Sequence, residues 1–163
     1  MHKQRGTVVV EFALVCSIFL LLLFAIIEFA RVMFIYNALA EGTRRGVRLA
    51  AVCKVTDSAV IKNAVTLAGN GNSPISSLLT NDQVMVSYLN KDGVVISDPS
   101  NLSNFPLIRY VRVEISNFQH ELLIPLIPPF TNWNISVPSF SVTIPSESLG
   151  YSPTQDAFVS CQS

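Results

Sequence analysis

A long apolar segment near the N-terminus constrains this chain more than any other feature. Between Thr7 and Ile27 the only charged residue is Glu11. A membrane-spanning helix needs about 20 mainly apolar residues, so this segment is long enough for one span. A carboxylate at the centre of such a helix costs roughly 2.5–3.5 kcal/mol on insertion scales. The segment therefore predicts a transmembrane helix in which Glu11 needs a specific explanation.

The rest of the chain has the composition of a folded, rather polar domain. The 163 residues carry 11 Lys and Arg against 11 Asp and Glu, and this balance does not indicate a polyanionic partner. No basic patch is interleaved with aromatic residues, so we predict no nucleic-acid binding. We predict one domain with an anchor: a transmembrane helix over 7–30, its continuation over 31–56, and an extracytoplasmic head over 57–163.

The flanks of the apolar segment predict its orientation. Lys3 and Arg5 precede it, as in a secretory signal peptide. The position of Glu11, the length of the run and the lack of an A-x-A site weigh against such a peptide. Arginines also follow the segment, but some can pair with nearby acidic residues, as Arg31 can with Glu28. Because basic residues favour the cytoplasmic side, we predict a cytoplasmic N-terminus and a single pass through the membrane.

Cleavage of the chain would give Glu11 a partner. If the bond between Gly6 and Thr7 is cut, Thr7 carries a new α-ammonium group one helical turn from Glu11. The positive end of the helix dipole lies at the same place. The amine that neutralises Glu11 can belong to its own chain or to a neighbouring subunit. The alternative is a glutamate that extends toward the lipid headgroups, and the charge pattern alone leaves both interpretations open.

The segment RGTVVVEFALV resembles the processing site of type IV prepilins, in which a short basic leader and a glycine precede an apolar helix with a glutamate. The longer segment RGTVVVEFALVCSIFLLLLFAIIEFARV resembles the start of TadE-like pseudopilins, the family that contains TadE and TadF. These are minor components of the tight-adherence (Tad, or Flp) pilus. The resemblance covers about residues 5–53. The matching residues are Gly6, Glu11, Phe12, Ala13, Leu14, Glu28 and Phe29.

The resemblance implies a processed pilus protein of the bacterial inner membrane. A prepilin peptidase would remove the leader, residues 1–6, between Gly6 and Thr7. Assembly and charge pairing would involve Glu11, Phe12 and Glu28. The implied partners are other Tad pilins and pseudopilins, including a TadE or TadF partner and the Flp major pilin, and the inner-membrane assembly platform. The implied function is to support pilus assembly and adherence. The resemblance also implies incorporation into the extracellular pilus.

A different function class remains open beside the pilus protein. The chain would then be an unprocessed, signal-anchored envelope protein whose β-rich head is a binding or adaptor module. This class does not require a glycine five residues before the glutamate, whereas a processed pilin does. The N-terminal residue of the mature protein distinguishes the two.

Helical periodicity continues beyond the apolar segment. Apolar residues recur at a roughly helical spacing from Val32 to Cys53, which predicts that the first helix continues to about residue 53. Gly42 and Gly46 interrupt this pattern and can allow a second helix or the sheet of the same chain to approach closely. Asp57 or Ser58 is a suitable cap for a second helix over about 58–68, which the glycines of residues 69–71 would end.

Alternating residues in the second half predict an antiparallel sheet. The segment VMVSYLNKDGVVIS reads as a hairpin around Asp92 and Gly93, and RYVRVEIS and FSVTI alternate apolar and polar residues. One face of such a sheet needs cover, which the second half of the long helix can supply. The predicted fold class is therefore α+β and pilin-like: a long N-terminal transmembrane helix that continues into a head whose antiparallel sheet packs on it.

The sequence contains no recognisable catalytic set. The only histidines are His2 and His120, and His120 lacks a second histidine four residues after it, so the metalloprotease pattern is absent. We interpret His120 as a surface or structural residue, and we predict no enzyme activity, no metal and no cofactor. The apolar stretch that follows it, residues 121–133, contains three prolines and reads either as a loop over the core or as a docking loop.

The three cysteines divide between the membrane segment and the head. Cys16 lies in the apolar span and is expected to stay a reduced thiol. Cys53 and Cys161 would both lie outside the cytoplasm, where disulfides persist, so they form the disulfide candidate. The alternative is two unpaired cysteines. We expect nothing else to hold the polar C-terminal tail, residues 146–163.

Overall fold

The computed structural model describes residues 5–68, 73, 75, 79–122 and 134–161, and it divides the chain into two compact units. The first unit combines the N-terminal residues up to 34 with residues 120–135. The second combines residues 35–119 with residues 136–163.

Helix α1 comprises Arg5–Val52, 48 residues in all. No proline occurs in this stretch, so no residue removes a helical hydrogen bond or clashes with the preceding turn. The helix ends close to residue 53, as the apolar spacing predicts, but it is shorter than the predicted continuation over 31–56. Hydrogen bonds to its last carbonyl groups explain why it stops there.

Backbone groups of the C-terminal tail cap the end of α1. The N–H groups of Glu147 and Leu149 donate to the carbonyl oxygen of Ala51 at 3.1 and 3.2 Å. The N–H of Gly150 donates to the carbonyl oxygen of Val52 at 2.5 Å. The last carbonyls of a helix have no partner within the helix, so donors from elsewhere in the chain satisfy them here. The helix end and the tail therefore stabilise each other.

The expectation that only a disulfide would hold the tail is wrong. Besides these backbone bonds, the hydroxyl of Ser148 donates to the Val52 carbonyl at 3.2 Å. Gly150 has a φ angle of +87°, and a Cβ atom at this position would lie 2.9 Å from the backbone of Lys54. Only glycine fits such a close approach at a positive φ without strain. Sequence patterns do not show these contacts because the bonded residues are almost 100 positions apart.

Helix α2 comprises Ser58–Thr66. It begins where Asp57 and Ser58 predict, and it ends two residues before the predicted end at residue 68. Leu67 takes a left-handed conformation with φ of 55°, which ends the helix. The glycines at 69 and 71, expected to end it, lie outside the described residues.

The main sheet has three antiparallel strands in the order β1–β2–β5. The strands are β1 (Val84–Leu89), β2 (Tyr110–Ile115) and β5 (Phe140–Pro145). These are the three alternating segments of the sequence. The hairpin expected around Asp92 and Gly93 is reduced, because its second arm pairs with β1 only through the bridge between Leu89 and Val95.

Short elements complete the described part of the fold. Strands β3 (Gln119–Glu121) and β4 (Asn134–Ser136) pair with each other. Strands β6 (Tyr151–Ser152) and β7 (Ala157–Phe158) form an antiparallel hairpin in the tail. Two 3₁₀ turns cover Asn81–Gln83 and Phe105–Leu107.

The core of the second unit forms where the end of α1, helix α2 and the main sheet meet. In β2, every second side chain is buried: Val111, Val113 and Ile115. They belong to the same hydrophobic cluster as residues from α1, such as Leu39 and Val47, and from α2. Removal of these side chains from water supplies the main stabilising term for the head. This packing of an antiparallel sheet on the long helix confirms the predicted α+β fold class.

The two glycines of α1 serve packing within this chain. A Cβ atom on Gly42 would overlap the backbone carbonyl of Val65, and one on Gly46 would overlap the Val65 side chain. The same Cβ on Gly46 would lie 3.6 Å from Val113 of the sheet. The close neighbour of these glycines is therefore α2 of the same chain. The loss of helix propensity at each glycine, about 1 kcal/mol, is offset by this close approach.

A disulfide joins Cys53 to Cys161, the pair that the sequence singles out. The S–S distance is 2.05 Å and the Cα atoms are 5.4 Å apart, across 108 positions of sequence. The N–H of Cys161 also donates to the carboxylate of Asp57 at 2.7 Å. Cys16 is a free, half-buried thiol. The bond therefore ties the C-terminal tail to the residue directly after α1.

Replacement of both bonded cysteines, Cys53→Ala with Cys161→Ala, should lower the free energy of unfolding of the head by about 2–4 kcal/mol. A closed loop of this length restricts the unfolded chain strongly, although native contacts of the tail remain. Denaturant titration of the full-length protein in detergent micelles measures the change. Cys16→Ala is the matched control and should have little effect. An unchanged stability of the double variant would contradict the stabilising role of the bond.

Candidate functional site

The N-terminal part of α1, from Val8 to Phe29, exposes large apolar side chains on all sides. Even the least exposed of them, Leu23, is 37% exposed, and Phe12 is 71% exposed. A helix that is apolar all round is a membrane span or lies deep in a core. Ser17 does not interrupt this surface, because its hydroxyl donates to the carbonyl of Ala13 at 2.7 Å. This surface can be covered by lipid or by the helices of other subunits.

The predicted processing residues lie at the start of this surface. Gly6 and Thr7 are exposed in the first turns of α1, and a Cβ atom on Gly6 would meet no other atom within 4 Å. Glu11 is also exposed. Among the described residues it has no hydrogen-bond or ion-pair partner. Its carboxylate is thus available to a group outside the chain or to a new N-terminus at Thr7.

A second acidic residue of α1, Glu28, has a different environment. It is 3% exposed, and its Oε1 atom accepts a hydrogen bond from Nη1 of Arg31 at 2.8 Å. This is the pair at a spacing of three that the sequence suggests. The imidazole Nε2 of His120 lies 3.7 Å from the same oxygen, which is longer than a hydrogen bond. Glu28, Arg31 and His120 therefore form one polar cluster within the first compact unit.

The electrostatics of this cluster favour a neutral His120. Burial lowers the pKa of His120, because the imidazolium ion loses its hydration, and the positive charge of Arg31 lowers it further. The negative charge of Glu28 acts in the opposite direction. The net shift is downward, so burial and Arg31 together outweigh the carboxylate.

Sequence reasoning did not place His120 beside Glu28. The structure buries it to 3% exposure, which removes the surface interpretation and leaves a structural role. The apolar residues that follow position 120 were a usable signal, because they indicate that the strand enters an apolar environment. The proximity to Glu28 depends on contacts between positions 92 residues apart and has no local signature.

The described residues contain no cluster of three or more potential metal ligands.

Burial raises the pKa of Tyr88 to about 12, with a smaller contribution from the negative charge of Asp57. Its buried hydroxyl has no hydrogen-bond partner within the described part of the chain. A phenol with this pKa stays protonated near neutral pH, so it is unsuited to act as a base. The prolines of residues 125–129 lie outside the described residues.

The segment of α1 that contains Glu11 and Glu28 is similar to a known protein family. Residues 6–48 match the model of the TadE-like protein family. This match confirms the resemblance seen in the sequence, and it covers the N-terminal part of α1 and most of its continuation. The comparison finds no similar curated protein and no similar solved structure.

The TadE-like match and the apolar helix together support a single-pass, membrane-anchored protein. Within the described residues, one helix is long and apolar enough to cross a membrane, and it lies near the N-terminus. Glu11 and Glu28 both lie within the matched segment.

Replacement of the buried acid, Glu28→Gln, should lower the free energy of unfolding of the full-length protein by about 1.5–3 kcal/mol, because it removes a charge-assisted hydrogen bond with Arg31. Glu41→Gln is the matched control, since Glu41 pairs with Arg45 at the same 2.8 Å distance on the exposed surface of the same helix. The control should change little. Denaturant titration in micelles compares them. Equal effects of the two variants would show that burial gives Glu28 no special role.

Proposed function

We propose that this chain is a minor pilin, or pseudopilin, of a Tad-type pilus or secretion machine, processed after Gly6 and assembled through α1. The observation that carries the proposal is the exposed Glu11, four residues after Thr7 at the start of an apolar helix surface. A single membrane anchor does not need a carboxylate there, whereas assembly gives that carboxylate a partner. The family match over residues 6–48 supports the same function.

The disulfide supports the proposed topology. Disulfides persist in the oxidising space outside the cytoplasm and are rare within it. A bond between Cys53 and Cys161 is therefore compatible with a head outside the inner membrane. The basic residues Lys3 and Arg5, on the other side of the apolar segment, favour a cytoplasmic N-terminus. In this topology a peptidase at the cytoplasmic face would reach the leader.

Charge pairing at the processed end provides a mechanism of assembly. Cleavage after Gly6 creates an ammonium group at Thr7, at the positive end of α1. In a packed array, the ammonium of one subunit can meet the Glu11 carboxylate of its neighbour. Both charges are costly in lipid when they are apart, so pairing favours one register of the helices. The exposed side chain of Phe12 would then pack against the neighbouring helix together with the rest of the apolar surface.

Cleavage can be tested on protein from its native membrane. Mass spectrometry should identify Thr7 as the N-terminal residue in cells that contain a prepilin peptidase. Cells with an inactive peptidase should retain Met1, and a Gly6→Leu variant should also remain uncleaved, because a bulky side chain replaces the small residue at the scissile bond. An intact Met1 in the presence of active peptidase would contradict the pilin function and favour the unprocessed envelope protein.

A Glu11→Gln variant tests the assembly contact. It should insert and leave the head folded, because loss of the charge lowers the cost of the helix in lipid. Its association with Tad pilins should be roughly ten- to a hundredfold weaker, as expected for one lost charge-assisted bond. Quantitative co-purification from detergent extracts measures this effect, with Glu41→Gln as the control on the same helix. Association equal to that of the control would contradict the role of Glu11.

A further inference from the structure

Among the described residues of the first compact unit, few ionisable groups lie near His120. Helix α1 contributes Glu28 and Arg31, whose atoms lie within hydrogen-bond distance of each other. Strand β3 itself contributes Glu121, which is exposed. Its partner strand β4, Asn134–Ser136, has no titratable side chain, and the sequence between the two strands has none after Glu121. The charges that act on the protonation of His120 are therefore those of Glu28 and Arg31.

We propose that the contact of His120 with Glu28 is pH-sensitive. It holds strand β3 against helix α1 while the imidazole is neutral, and it is broken when the imidazole is protonated. A protonated His120 would lie within ion-pair distance of Glu28, but the charge of Glu28 is already paired with Arg31. Nη1 of Arg31 already occupies the Oε1 atom of Glu28 at 2.8 Å, whereas Nε2 of His120 remains at 3.7 Å. A second cation at this oxygen would lie beside the first, and the two positive charges would repel each other.

The burial of both partners makes this contact sensitive to protonation of the His120 imidazole. Glu28 and His120 are each 3% exposed, so a new positive charge on the imidazole would be poorly hydrated while His120 remains in this position. Arg31 differs, because its side chain is 38% exposed and keeps part of its hydration. A charged His120 is thus most stable in solvent, and the neutral form is most stable in the cluster.

The direction of the pH effect follows from the lowered pKa of His120. A histidine whose folded-state pKa lies below its unfolded value binds more protons in the unfolded state. Its contribution to the stability of the contact is therefore fully present above the ordinary histidine pKa of about 6.5. The contribution is lost as the pH falls below that value toward the folded-state pKa. The contact between His120 and Glu28 is therefore formed at neutral pH and broken in acid.

The experiment uses the full-length protein in detergent micelles with His2→Gln, so that His120 is the only histidine. Nuclear magnetic resonance follows the imidazole between about pH 8 and pH 5, and hydrogen exchange follows the backbone of β3 after correction for the intrinsic pH dependence of exchange. The imidazole should titrate below its usual pKa. For each unit of this displacement, the opening equilibrium of β3 should increase about tenfold on acidification.

Two substitutions in α1 should shift the titration of His120 in opposite directions. Arg31→Gln removes a positive neighbour and should raise the midpoint, whereas Glu28→Gln removes the negative neighbour and should lower it. With His120→Gln, which cannot be protonated, exchange in β3 should lose its pH dependence. A midpoint at the ordinary histidine value, shifts of the same sign, or equal pH dependence with glutamine at position 120 would overturn the proposal. Exchange in β2, in the other compact unit, is the internal control.

Discussion

The burial of one face of α1 between residues 35 and 52 is the interaction on which the described head depends. Its apolar residues enter the same core as the main sheet and helix α2. Gly42 and Gly46 bring α2 close enough to join that core, because side chains there would collide with Val65. The same helix exposes large apolar side chains in its N-terminal part, with Glu11 as the charged residue among them. One continuous element therefore meets two environments, and the change of its residues along the chain decides which segment enters which.

The end of α1 shows how distant parts of the chain complete a helix. Its last carbonyl groups receive their donors from Glu147, Leu149 and Gly150, and the disulfide from Cys53 to Cys161 lies directly beyond them. A helix that ends in its own glycine cap needs no such help. Here the cap comes from the tail, so the folding of the tail and the termination of the helix are linked. The covalent bond adds a restriction on the unfolded chain to contacts that already exist.

The acidic residues of α1 show that spacing and environment act separately. Glu11 is exposed on the apolar surface and has no partner among the described residues, whereas Glu28 is buried with Arg31 and His120. A partner supplied from outside the chain suits the first, since nothing within the described chain neutralises it. The second pairs with Arg31 inside its own unit. In the function proposed above, Glu11 acts in assembly, whereas Glu28 pairs within the folded subunit.

The sequence by itself determined the long helix, the three strands of the main sheet and the start of α2, and it indicated Cys53 and Cys161 as the disulfide candidate that the structure confirms. Each depends on a local pattern: continuous apolar residues, alternation, a cap, or the division of cysteines between the membrane segment and the head. Only the tertiary structure decided that α2 covers the glycines, that the tail caps α1, and that His120 lies against Glu28. These are contacts between residues far apart in sequence, and they follow from how whole elements pack. No window of residues contains that information, because each contact depends on the shape of both partners at once.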